Sequence, residues 1–169
     1  NFSLSLHFSI IFIYFSSLFC LSHLLFPSNL LLYFAVLILD GTITTFGEKI
    51  FATNGQEGDF QTTSEACKQA GGSIASPKNK GENDAVFSLV KSFNKCAYLE
   101  IEEGGIPGEV SFQNGTALNY TNWHAGMQPS HKGEENCIEM CTGGAWNGTS
   151  CNQYHLTICE FKSLLLHFL

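Results

Sequence analysis

Arginine is missing from this chain, and the first 39 residues carry no Lys, Arg, Asp or Glu. All 8 basic residues are lysines, and with the 15 acidic ones they lie from Asp40 onward, for a net charge of −7. Phosphate recognition relies on clustered Lys and Arg. Here Lys78, Lys80, Lys91 and Lys95 are interleaved with acids and asparagines, so no nucleic-acid partner is expected. Paired carboxylates, an activated nucleophile and a phosphate-cradling loop are likewise missing from any workable context, which argues against an enzyme.

The uncharged front, "NFSLSLHFSIIFIYFSSLFCLSHLL", is long enough to span a bilayer, and "NLLLYFAVLIL" follows Pro27. Residues 1–39 read as a signal sequence or membrane anchor. The positive n-region of the one and the flanking Lys or Arg of the other are both lacking. The segment is nearly all Phe, Leu, Ser, Ile and Tyr, residues of thymine-rich codons. Mis-translated non-coding sequence is therefore the favoured reading, and a membrane partner is expected only if residues 1–39 are real. The apolar tail, 162–169, has the same character.

The charged remainder, about 130 residues, suits one domain with its own core. It is rich in cysteine, with six of the chain's seven after residue 66. An extracellular, secreted, oxidised domain explains them better than a reduced cytosolic one. Sequons at Asn114, Asn119 and Asn147 agree, each a glycan acceptor by pattern.

Within this remainder the signals are regular. "EKIFATNG" alternates apolar and polar positions and stops at Asn54-Gly55, as a strand ending in a turn does. "TTSEACKQAGG" carries a capping box, Thr62 with Glu65, and closes on Gly71-Gly72. That predicts a short helix with Ala66, Cys67 and Ala70 inward. After Pro77, Val86, Leu89, Val90 and Phe93 recur at helical spacing and predict a second amphipathic helix. "CAYLEI" reads as a strand; residues 102–136 read as a long irregular loop; "CIEMCT", "AW" and "LTICEF" read as short closing strands. The fold class is α+β: two helices, short antiparallel sheets and one long irregular loop region.

This order of elements, with Cys67, Cys137, Cys151 and Cys159, resembles the C-type lectin domain. "GEKIFATNG", "EACKQAGGSIASPKN", "NYTNW" and "WNGTSCNQYHLTICEF" are similar to segments of its collectin type, in the surfactant-protein branch, from Thr42 to Phe161. The resemblance places the lectin domain at 47–161 and the end of a trimerising neck at 40–46. It implies the pairs Cys67–Cys159 and Cys137–Cys151. Cys96 and Cys141 depart from the pattern, but the family's sheet places their strands side by side. A third disulfide, free thiols and intermolecular thiols all remain open for them. A zinc site from His131, Cys137 and Cys141 is disfavoured, because pairing would consume Cys137.

In sugar-binding members of the family, calcium is held by a Glu-Pro-Asn-type loop, a second Glu and an Asn-Asp pair on a strand. The sugar's hydroxyls complete the shell. A hard cation of this kind needs several oxygens. Here Met127 stands at the first Glu, Gln128 is an extra residue before Pro129, and Ser130 falls at the variable position. Glu135 matches the second Glu and Asn147 the strand Asn, but Gly148 replaces the Asp. Gln128, Ser130, Glu135 and Asn147 are thus the candidate ligand-binding residues, with Glu135 and Asn147 the retained calcium positions. A thioether is too soft to substitute for a carboxylate. Extracellular calcium modules bind at about 10⁻⁴ to 10⁻³ M, and losing ~3 kcal/mol weakens that about a hundredfold. Calcium, the implied cofactor, is expected to be weakly bound or lost.

Glu100 also departs, standing where the family has glycine, and a buried carboxylate there is costly unless paired. Trp123 and Trp146 are expected as core props beneath the loop. Glycans or phospholipid head groups are the expected partners. A homotrimer follows if a neck and collagen stalk lie upstream. The alternatives are a calcium-independent protein-binding domain, such as a phospholipase A2 inhibitor, and a membrane-anchored lectin receptor.

Overall fold

The computed structural model describes residues 42–103, 110–112, 115–125 and 137–162, all within the unit Gly41–Leu169. Helix α1 spans Phe60–Gln69 and is opened by Asp59, whose Oδ1 accepts the Thr62 backbone N–H at 2.7 Å. That bond holds the Asp59 carboxyl below its usual range. The cap expected from Thr62 and Glu65 is displaced three residues upstream, because a charged acceptor outcompetes a hydroxyl for the same orphan donors. The inward face also differs from expectation. Thr63, Ser64 and Cys67 are buried, whereas Ala66 is exposed and Ala70 half-buried. Starting the helix at Asp59 fixes that rotation, and Thr63 Oγ1 meets Thr157 Oγ1 at 3.4 Å inside. Gly71 ends the helix at φ +83°, and the Gly72 N–H donates to Cys67 O.

Helix α2, Lys80–Phe93, begins at Asn79, which accepts the Glu82 N–H and donates its own amide to Glu82 Oε1. It ends at Asn94 in the left-handed region. Val86, Leu89 and Val90 are buried as their spacing requires, and half-buried Phe93 packs against the same core.

The strands are β1 (Ile43–Phe46), β2 (Lys49–Ala52), β3 (Glu57–Gly58), β4 (Ser73–Ile74) and β5 (Ala97–Glu103). They continue with β6 (Val110–Phe112), β7 (Cys137–Met140), β8 (Trp146–Thr149), β9 (His155–Leu156) and β10 (Cys159–Lys162). One sheet runs β1-β2-β10-β4; the other runs β3-β9-β5-β7-β8, with β6 on β5. Pairing is antiparallel except between β5 and β9, which meet in parallel at Ala97 and Leu156. Residues 43–46, assigned above to the end of a neck, form β1 against β2.

The stretch 102–136 was expected to be irregular, but β5 runs on to Glu103 and pairs there with β6. Such pairing joins distant segments and leaves no local period to read. Cys67–Cys159, Cys137–Cys151 and Cys96–Cys141 are bonded. Cys20 lies outside the described residues.

The main core gathers Phe51, Leu89, Leu99, Ile138, Trp146 and Leu156. A smaller cluster packs Ile74 and Tyr98 around Cys67, Cys137 and Cys159. Between β2, α2 and β10 lies an ion cluster that no local pattern announced. Lys49 Nζ meets Glu82 Oε2 at 2.9 Å and Glu160 Oε2 at 3.2 Å, with the three side chains 17, 11 and 15 % exposed. The same ammonium donates to Ser76 O, and Glu160 Oε2 also accepts the Ser76 N–H at 2.7 Å. Among the described residues no helix is long and apolar enough to cross a membrane.

Candidate functional site

Asn147 and Gly148 sit on β8, and Trp146 fixes their place. Its ring is fully buried, and its Nε1–H donates to Asn83 Oδ1 at 2.7 Å. The Trp146 N–H donates to Asn122 O, and Trp146 O accepts from His124. Tyr120 and Trp123 both pack edge-on against the ring. Asn83 and Asn122 each donate a side-chain N–H to Gly144 O, at 3.2 and 2.8 Å. Gly144 adopts φ +76°, a conformation that favours glycine, and its Cβ position lies 3.1 Å from the Phe87 ring. The β7–β8 turn is thereby clamped from α2 and from residues 115–125. Trp146 is a core prop, as expected, and half-buried Trp123 packs against it.

Pairing of β7 with β8 sets Glu139 opposite Asn147, Ile138 opposite Gly148 and Cys137 opposite Thr149. Residues directly opposite share a face of the sheet, so Asn147 lies beside Glu139. Asn147 and Gly148 are half-buried. The donors on this strand do not by themselves make a calcium site. Asn147 offers one amide oxygen and Gly148 no side chain, whereas calcium takes six to eight oxygens. Met127, Gln128, Ser130, His131 and Glu135 lie outside the described residues, as does Asn114. Asn119 is exposed. The zinc set of His131, Cys137 and Cys141 loses both sulfurs to disulfides, Cys137 to Cys151 and Cys141 to Cys96.

Glu100 is half-buried, and its carboxyl is pushed above the ordinary range by burial first and by Glu160 second. The Tyr98 phenol, its hydrogen shared between Gln153 O at 2.8 Å and Ser150 O at 3.0 Å, is pushed up to about 12, chiefly by burial.

Sequence reasoning missed one cluster altogether. Cys96, Glu139 and Cys141 place their ligand atoms within 4.8 Å of one another, and His155 Nε2 lies 2.7 Å from Glu139 Oε2. Glu139 on β7 and Cys141, the residue just past its end, stand two apart and so face the same way, a signal that was present. His155 comes from β9, beyond any local signal.

Comparison with known proteins follows the same outline. The model of the Lectin C-type domain matches residues 56–161. The mouse scavenger receptor C-type lectin carbohydrate-recognition domain superposes with TM-score 0.65 at 19% identity, covering 72% of this chain and 94% of that one. The cow CD23 carbohydrate-recognition domain, solved with a GlcNAc2Man3 oligosaccharide, gives 0.62 at 23% identity, covering 72% and 94%. A calcium-independent type II antifreeze protein gives 0.64 at 19% identity, covering 73% and 93%. At these identities the structures speak for the fold, and the match over residues 56–161 carries the assignment: this chain belongs to the C-type lectin domain family.

Proposed function

We propose that the chain is an extracellular lectin of collectin type, similar to pulmonary surfactant protein A, that binds carbohydrate or surfactant phospholipid head groups with an impaired calcium site. C-type lectin domains bind glycans, as the oligosaccharide in the cow CD23 structure illustrates, and the family is typically not enzymatic. The observation that supports the reading is the Asn147-Gly148 pair on β8, which offers one amide oxygen and no carboxylate. Gln128, Ser130 and Glu135 are the proposed further contacts to ligand, with Glu135 and Asn147 the retained calcium positions. Exposed Asn119 suits a glycan; Asn114 and Asn147 are the further acceptors by pattern, and a glycan on Asn147 would cap the site. The three disulfides support an oxidising, secreted setting. A homotrimer follows if a neck and collagen stalk precede the domain, and a membrane-anchored receptor if residues 1–39 are an anchor.

Binding of the chain to immobilised mannose and to phosphatidylcholine vesicles, with and without chelator, tests this reading. Binding that chelator leaves largely unchanged, with calcium affinity weaker than millimolar, is expected. Submillimolar calcium binding that Glu135→Ala abolishes would overturn the impaired site. The second reading is a calcium-independent protein-binding domain, like a phospholipase A2 inhibitor. The likeness to an antifreeze protein described as calcium-independent favours it. Absence of both sugar and lipid binding would select it.

A further inference from the structure

The three disulfides are not equivalent. Cys67, Cys159 and Cys137 are buried at 0, 2 and 3 % exposure; Cys151 is half-buried, so Cys137–Cys151 has one exposed side, and only in Cys96–Cys141 are both cysteines half-buried. Cys96 and Cys141 flank the Ala97–Met140 pair at the end of the β5–β7 ladder, with Cα atoms 4.1 Å apart. The bond therefore staples strands already paired along their length.

On the same sheet face stand Glu139 and His155, their side chains 15 and 12 % exposed. The His155 Nδ1 lies 3.0 Å from Tyr154 O, and the tautomer with its hydrogen on Nδ1 donates to that carbonyl. Nε2 is left buried and without a hydrogen bond of acceptable geometry, 2.7 Å from a carboxylate oxygen. In that tautomer Nε2 has a lone pair available beside Glu139, and a ring with one nitrogen donating to a main-chain carbonyl and the other available is the arrangement of a metal-ligating histidine.

We infer that Cys96, Glu139, Cys141 and His155 form a redox-gated zinc site, closed to metal while the disulfide stands and open once it is reduced. A dithiol reductant supplies two electrons and two protons; the sulfur–sulfur bond breaks to two thiols and the reductant leaves as its own disulfide. A zinc ion then displaces both thiol protons to solvent and takes the two thiolates, a Glu139 oxygen and His155 Nε2. Tetrahedral zinc with Zn–S near 2.3 Å sets its sulfurs about 3.8 Å apart, so the two sulfurs, now bonded to one another beside Glu139, must separate after reduction to take the metal. Four protein ligands make a closed, structural type of site.

The test titrates the full chain with a limiting dithiol, maps new thiols by differential alkylation and mass spectrometry, and adds zinc alone or cobalt(II) as a coloured substitute. Two new thiols at Cys96 and Cys141, one metal per chain and the tetrahedral thiolate spectrum of cobalt are expected. His155→Gln and Glu139→Gln should each weaken binding at least tenfold, and Glu139→Asp should recover part of the loss. A Cys96→Ser, Cys141→Ser double variant, still held by two disulfides, should bind no metal yet unfold cooperatively. The inference is overturned if the chain reduced at Cys96 and Cys141 binds no zinc, which would leave His155 and Glu139 as a simple ion pair. It fails equally if both glutamine variants bind as tightly as the parent, or if another disulfide opens first.

Discussion

The two sheets are secured by different means. The four-stranded sheet relies on covalent and ionic ties: Cys67–Cys159 bolts α1 to β10, and Lys49 draws Glu82 of α2 and Glu160 of β10 to β2. The six-stranded sheet carries the other two disulfides, Cys96–Cys141 and Cys137–Cys151, but is set apart by a large apolar core and one tryptophan whose polar edges are all answered by asparagines or main chain. The first arrangement ties together segments far apart in sequence. The second holds one hairpin in a defined position, and that hairpin carries Asn147. The longest-range ties thus mark one sheet, and the positioning of a single hairpin marks the other.

The comparison can be broken most forcefully at the long disulfide. Replacing Cys67 and Cys159 together by Ser frees a loop of 92 residues, and chain entropy puts the loss at about 4 to 5 kcal/mol. Denaturant unfolding under oxidising conditions checks it, and the Cys137–Cys151 loop of 14 residues should cost less, about 3 kcal/mol.

Lys49→Met is next. It leaves two carboxylates facing one another without a cation and should cost about 3 kcal/mol at neutral pH. Part of that loss should return when Glu160→Gln is added. Full additivity of the two losses would show that the cluster is not coupled.

Asn83→Ala sharpens the other side. It strips Trp146 Nε1 of its acceptor and Gly144 O of one donor, which should cost about 1 to 3 kcal/mol. Ligand binding should fall while the four-stranded sheet keeps its hydrogen-exchange protection.

Glu100→Gln carries the smallest effect and the opposite sign. The folded carboxyl titrates above its unfolded value, so the native state holds the proton more tightly. Stability is then lost as pH rises from the unfolded value through the folded one. Glutamine removes that loss, so the variant should be slightly more stable than the parent at pH 7 and indistinguishable at pH 3. Thermal melts at the two pH values check the sign.

Where the chain's local pattern and its packing agreed, the sequence was readable. Val86, Leu89 and Val90 announced α2 because a helix has one face and those residues fill it. Asp59 was readable as a cap too, but Thr62 with Glu65 matched a familiar box more literally and concealed it. The inward face of α1 went astray for a related reason: Thr63 and Ser64 are polar, and only the polar neighbours supplied by the fold, such as Thr157, make their burial cheap. Lys49, Glu82 and Glu160 were beyond reach, since their partnership spans up to 111 residues and each alone reads as a surface charge. At the site, the departures at Met127 and Gly148 were plain in the sequence. The grouping of Glu139 and His155 with Cys96 and Cys141 depends on strand register, which no single segment encodes.

The position of β10 bears on how the molecule is made. β10, the last of the described strands, lies in the interior of its sheet, between β2 and β4, and contributes Cys159 to the longest disulfide. Until Lys162 emerges from the ribosome, β2 and β4 have an unfilled slot between them and Cys67 has no legitimate partner. An emerging chain must therefore wait for β10 before Cys67 can be oxidised to its native partner. Premature oxidation would join Cys67 to whichever of Cys96, Cys137, Cys141 or Cys151 arrived first.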